Sequence, residues 1–141
     1  MNTAATKVFV YGTLRRGGGN YRLLDGNTAG EYPAVLPNAR LYAAGIPWVT
    51  SSPDGSQVIG ELTVLRADVA DVVLQRLDRL EGYRPGCGGN LYERLIRPVL
   101  FNEAGRQRRT TAWVYVAGHA ARRRLSDHDL VPGGDWLSYA S

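Results

Sequence analysis

Glu81 is the residue of this 141-residue chain whose type and place are hardest to explain by folding alone. In LDRLEGY (Leu77–Tyr83) it follows Val73 and Leu77 at intervals of four, so on a helix it lies over the same face as two apolar side chains. Partial burial there disfavours the ionised form. The C-terminal end of a helix dipole adds about 0.3–1 kcal/mol against a carboxylate at exposed sites. Both effects push its pKa toward the range a general base needs. The same residues admit a second reading of equal weight, in which Glu81 turns outward as the helix frays, or pairs with Arg84 or Arg94.

A second stretch with chemical potential is KVFVYGTLRRGGGN (Lys7–Asn20). The β-forming run Val8–Tyr11 stops at Gly12 and passes into arginines and three successive glycines. Such a turn exposes backbone N–H groups at a strand end, and Gly12 lets the backbone approach a ligand closely. The obvious rivals lack their defining residues. No Gly-Lys-Ser/Thr follows the glycines, and the Rossmann glycine spacing is missing. A single RRGGG beside a strand is not an arginine–glycine tract for RNA.

Other reactive side chains read as structure. Cys87 has no recognisable base near it, because neither His119 nor His128 sits in a motif. Ser126–Asp129 (SDHD) lacks a second ligand cluster and reads as a helix cap or turn. Trp48, Trp113 and Trp136 read as core or pocket walls.

The elements that must hold these groups follow from periodicity and punctuation. Lys7–Tyr11 is predicted as a buried strand. Asn20–Leu24 is predicted as a short helix capped by Asn20 and closed at Gly26. Pro33, Pro37 and Pro47 predict short or edge strands between Thr28 and Thr50. Ser51–Ser56 is a turn, followed by a strand over Gln57–Leu65 with Val58, Gly60, Leu62 and Val64 on one face. The clearest helix spans Ala67–Leu80, with Asp68 as cap and Asp71 in its first turn. Val69, Val72, Val73, Leu77 and Leu80 form its apolar face, while Gln75, Arg76, Asp78 and Arg79 face water. Gly82 stops it. Leu91–Leu100 and Arg108–Val116 form a hairpin across NEAGRQ, with Trp113 and Tyr115 on the same side. One helix among many short strands predicts an α+β fold, a small strongly bent sheet or β-barrel.

Composition narrows the class. The length suits a single domain over 1–141. Apolar residues make up 44% and charged residues 21%, as in ordinary globular proteins. The net charge of +4 is mild, and Lys7 is the one lysine among 17 basic residues. Without a basic stripe interleaved with aromatics, nucleic acid is not the expected partner. One cysteine excludes an internal disulfide and fits a reducing compartment. Met1–Thr6 is small and polar rather than a signal sequence, and no apolar run approaches the ~20 residues of a membrane span. The expected location is the cytoplasm, away from the membrane.

VFVYGTLRRGGGNYRLL, then LDRLEGY, LYERLIRPV, AWVYV and VPGGDWLSY, resemble the gamma-glutamylcyclotransferase-like family in order and over nearly the whole chain. The family fold is a small mixed β-barrel flanked by helices. The resemblance implies a cofactor-free, metal-free reaction in which a substrate's α-amine attacks its own γ-carbonyl, releasing 5-oxoproline and a free amine. It implies Glu81 as catalytic base and acid. Tyr11, Gly12, Thr13 and Leu14 match the family's glutamyl-cradling loop, and Tyr92 matches its tyrosine after the glutamate. Tyr115 sits where the family often has an aromatic facing the site, though core packing explains it equally. Arg15 and Arg16 would either attract an anionic substrate or lie at the surface. The expected partner is a small γ-glutamyl molecule, the expected state a monomer or weak homodimer. The rival expectation is a non-catalytic small-molecule-binding module on the same fold.

Overall fold

The β-forming run after Lys7 becomes β1 (Lys7–Val10), whose last three residues are buried. The computed structural model describes residues 5–140, so Met1–Ala4 of the polar opening stretch lie outside it. β1 pairs antiparallel with β5 (Gln57–Leu65), and β5 with β2 (Thr28–Pro37). β2 then pairs with β6 (Tyr92–Glu103), and β6 with β7 (Arg106–Ala117). A parallel contact of Val8 with Trp113 joins β7 back to β1 and closes a mixed five-stranded barrel. β3 (Ala39–Ala44) and β4 (Ile46–Ser51) form a separate hairpin. No helix among the described residues is long and apolar enough to cross a membrane.

Two apolar clusters explain the burial. One fills the barrel with a face from each of its strands, including Phe9, Leu36, Leu62, Val99 and Val114. The other lies between Val8, Val10, Leu65 and Tyr115 outside it and Val73 and Leu77 of the helix α1 (Ala70–Glu81). Thr63 and Leu65 are therefore buried where Val64 was expected to be, because α1 covers the outer face of β5 at that end. This double burial is why β1 reads as an unbroken apolar run.

Several sequence expectations need correction. The prolines predicted short strands, yet β2 runs ten residues through Pro33 and ends on Pro37. It pairs with β5 along its whole length but with β6 only at Ala34 and Val35, so most of its second edge has no ladder for a proline to interrupt. The short helix near Asn20 is a 3₁₀ turn over Tyr21–Leu23, and Asn20 does not cap it. Helix α1 starts at Ala70 behind Val69, because Asp68 binds Arg66 instead of capping. Val72 (50% exposed) and Leu80 (40%) lie outside the buried stripe. Gly82 does end the helix, in the left-handed conformation at φ 67°. Ser126–Asp129 forms a capping box, as the turn reading required.

The β6–β7 hairpin is tighter than predicted, with Glu103 opposite Arg106 and only Ala104–Gly105 between them. Both turn residues have positive φ (51° and 78°), which strains alanine but not glycine. Ala104→Asn, which creates the Asn-Gly pair such turns favour, is expected to stabilise the fold by about 1 kcal/mol, read from chemical denaturation. An unchanged midpoint would show that Ala104 is not strained.

Candidate active site

A cavity of about 140 Å³ opens where β1 ends. All seven residues singled out from sequence line it: Tyr11, Gly12, Thr13 and Leu14 from the turn, Glu81 from the end of α1, and Tyr92 and Tyr115 from β6 and β7. The hairpin β3–β4 adds Ile46 and Pro47 to the wall.

The turn is held by its own carbonyls. The Arg15 N–H donates to Gly12 O (3.1 Å) and the Asn20 N–H to Thr13 O (2.8 Å), while Asn20 Nδ2 donates to Thr13 Oγ1 (2.8 Å). Among the described residues, the N–H groups of Gly12, Thr13 and Leu14 have no acceptor. Two glycines make this path possible. A Cβ on Gly12 would meet Pro47 Cγ at 2.5 Å, and one on Gly18 would meet Thr13 O at 2.3 Å.

The arginines of the loop do not face the cavity. Arg15 is held by Glu61 (Nε–Oε2 2.6 Å) and Asp135 (Nη1–Oδ1 2.7 Å), and the Arg16 N–H donates to Glu61 Oε1 at 2.9 Å. They brace the turn against β5 and against the Gly-Asp-Trp segment, which accounts for Asp135. Electrostatic attraction of a substrate by Arg15, one of the two sequence readings, is thereby set aside. A doubly paired guanidinium has little charge left to offer.

Glu81 is partly buried, and burial pushes its carboxyl up to about 7. No hydrogen bond or ion pair reaches it from the described residues. Arg94 is instead 3.0 Å (Nε) from Asp78 Oδ1, aligned as an ion pair rather than a hydrogen bond, and Arg84 is exposed. The outward or salt-bridged reading of Glu81 therefore fails. Asp78, expected on the wet face, is half-buried, with 13% of its side chain exposed, and it accepts the Tyr115 hydroxyl at 2.7 Å.

The other two tyrosines are equally fixed. Tyr11 donates its hydroxyl to Tyr115 O, and Tyr92 donates to Pro47 O while stacking on Trp48 (centroids 4.2 Å apart). Burial, with a contribution from the Glu81 charge, raises all three phenols. Sequence reasoning missed Asn20, Pro47 and Asp78. Only Asp78 left a signal, three residues before Glu81 and so on a neighbouring face of the helix. Among the described residues, no three His, Cys, Asp or Glu side chains are grouped as for a metal ion.

The family described as "Gamma-glutamyl cyclotransferase, AIG2-like" matches residues 8–138. A Halalkalibacterium halodurans protein named "Putative gamma-glutamylcyclotransferase" is 31% identical over 101 residues, covering 70% of this chain and 78% of its own. The crystal structure of a mouse AIG2-like protein superposes with a TM-score of 0.64 at 24% identity, over 95% of both chains. A yeast gamma-glutamyl cyclotransferase specific to glutathione has a TM-score of 0.56 at 12% identity, covering 82% of this chain and 70% of its own. At these identities the two solved structures are likenesses of fold.

Proposed function

The chain belongs to the gamma-glutamyl cyclotransferase, AIG2-like family, and from that premise we propose that it converts a γ-glutamyl amine or γ-glutamyl amino compound to 5-oxoproline and the free amine. One observation carries the reading. A carboxyl raised to about 7, with no partner, shares a small cavity with three unpaired backbone N–H groups.

Each part has a task that physical chemistry defines. The N–H groups of Gly12, Thr13 and Leu14 receive the substrate's α-carboxylate, an anion site without a buried cation. The glutamyl chain is then held folded, with its α-nitrogen against its own γ-carbonyl. Because nucleophile and electrophile belong to one molecule, what the protein contributes is the conformer. Glu81 takes a proton from the α-ammonium, and the freed amine attacks the γ-carbon. As the new C–N bond closes the five-membered ring, the original amide C–N bond breaks. Glu81 returns that proton to the departing nitrogen and passes on the second proton that the ring nitrogen sheds, so the amine leaves as its ammonium and no net proton is consumed in the site.

A base of pKa near 7 suits this exchange, being ionised often enough to accept and acidic enough to donate. kcat/KM is expected to rise with pH through about 7 as Glu81 ionises in the free protein. A flat profile between pH 5.5 and 8 would remove Glu81 from the role. The direct test is incubation with a panel of γ-glutamyl amines, γ-glutamyl amino acids and glutathione, following 5-oxoproline. Ligand binding without product across that panel would establish a binding module instead.

A further inference from the structure

Three phenols line the cavity that holds Glu81, and a phenol has one proton to donate. Each of those protons is already committed elsewhere: Tyr11 to Tyr115 O, Tyr92 to Pro47 O, and Tyr115 to Asp78 Oδ1. The first two acceptors are backbone carbonyls that the fold supplies in any case. The third is a side chain, which also pairs with Arg94. Asp78 stands one helical turn before Glu81, its own position fixed by Arg94. The Arg94 guanidinium lies in turn over Trp113 (4.3 Å to the ring centroid) and Tyr83 (5.3 Å). An aspartate, an arginine and two aromatic rings thus fix where one hydroxyl hydrogen points.

We propose that Asp78 is a positioning residue, holding the Tyr115 proton away from the cavity so that Tyr11, Tyr92 and Tyr115 present only lone pairs to Glu81. A hydrogen-bond donor beside a carboxylate stabilises its ionised form and weakens it as a base. With all three protons directed away, Glu81 receives no hydrogen bond from the phenols around it, and burial raises its pKa without their opposition. The groups facing Glu81 from the packed elements are Tyr11 at the end of β1, Tyr92 on β6 and Tyr115 on β7. β4 contributes only Ile46 and Pro47, and the turn contributes Gly12, Thr13, Leu14 and Asn20, none of them titratable. Besides Glu81, the charges that act on this set are Asp78 and its partner Arg94, both at Tyr115.

The inference deepens the proposed function, and for its catalytic meaning it rests on that reading. Its test does not. The Glu81 carboxyl is titrated by carbon NMR in protein labelled at glutamate, with Glu81→Gln identifying the signal. Wild type is expected to titrate near 7. Asp78→Ala frees the Tyr115 hydroxyl to turn toward Glu81 and is expected to lower that midpoint by about one to two pH units, the worth of one hydrogen bond to a carboxylate. Tyr115→Phe alone should leave the midpoint in place. The double variant Asp78→Ala/Tyr115→Phe should titrate about one to two pH units above Asp78→Ala, that difference being the share of the hydroxyl.

That last comparison separates orientation from charge. Removing Asp78 also removes an anion and exposes Arg94, and both effects would lower the midpoint with or without the Tyr115 hydroxyl. A double variant that titrates together with Asp78→Ala overturns the proposal. So do an unmoved midpoint in Asp78→Ala and a rise in Tyr115→Phe. Should Asp78→Ala fail to fold with Arg94 unpaired, the same comparison is made with Arg94→Met throughout, which removes both ions together. The acid limb of kcat/KM should move with the NMR midpoint. If the midpoints behave as stated and wild type makes no 5-oxoproline, the orientation stands and the cyclotransferase reading falls.

Discussion

Glu81→Gln is expected to lower kcat for 5-oxoproline release by about 10²–10⁴-fold, the usual contribution of a positioned acid–base group. The amide fills the same space and makes no new charge, so binding of the γ-glutamyl substrate should change far less than turnover. Stability should move the opposite way. The native carboxyl holds its proton up to about 7, whereas an unfolded glutamate releases it near the ordinary value of about 4.5. The folded state therefore binds more protons between these values, and wild-type stability falls as pH rises through that window. At pH 8 the glutamine variant escapes this cost and should be more stable by up to about 3 kcal/mol. At pH 4 the difference should vanish. A variant that is inactive and less stable at pH 8 would mean that Glu81 is a structural residue.

The second large effect is expected at the other wall of the cavity. A methyl group at position 12 would stand 2.5 Å from Pro47 Cγ and 3.3 Å from its Cβ. Pro47 cannot easily retreat, because its carbonyl accepts the Tyr92 hydroxyl and that ring stacks on the buried Trp48. The turn must yield instead, carrying the N–H groups of Gly12, Thr13 and Leu14 with it. A displacement of the order of 1 Å in a positioning group costs about 100-fold, so Gly12→Ala should lose about that in kcat/KM. Overpacking should cost about 1–3 kcal/mol of stability as well. Gly19→Ala is the control: its Cβ meets nothing within 4 Å and its φ is not positive, so both measurements should stay at wild-type values. Full activity in Gly12→Ala would detach the turn from substrate binding.

These two walls were legible to different degrees. The helix, its glycine stop and the place of Glu81 on an apolar row follow from spacing over a dozen residues, since side chains four apart on a helix must share a face. Whether Glu81 turns inward or outward does not follow from that spacing. The strand β1 and the exposed amides after it follow from a β-forming run broken by glycine. The alternation of short strands around one helix gives an α+β fold with a bent sheet or barrel, and the resemblance to the family makes that a mixed barrel. Prolines misled the reading of β2, because whether a missing N–H matters depends on what lies beside the strand. Asp78 misled it too, since polarity placed it toward water. Its partners Tyr115 and Arg94 come from strands 37 and 16 residues away.

The chain's own order of residues determined which groups were available: a carboxylate on an apolar row, a glycine turn, and tyrosines on two strands. Local periodicity fixes such things because neighbours on one element cannot avoid each other. Tertiary structure alone decided that the turn and the helix end share one cavity, that Arg15 braces rather than binds, and where each tyrosine sends its proton. Those outcomes depend on contacts between distant segments, and a hydrogen bond is directional, so a partner must be in place before its sense is defined.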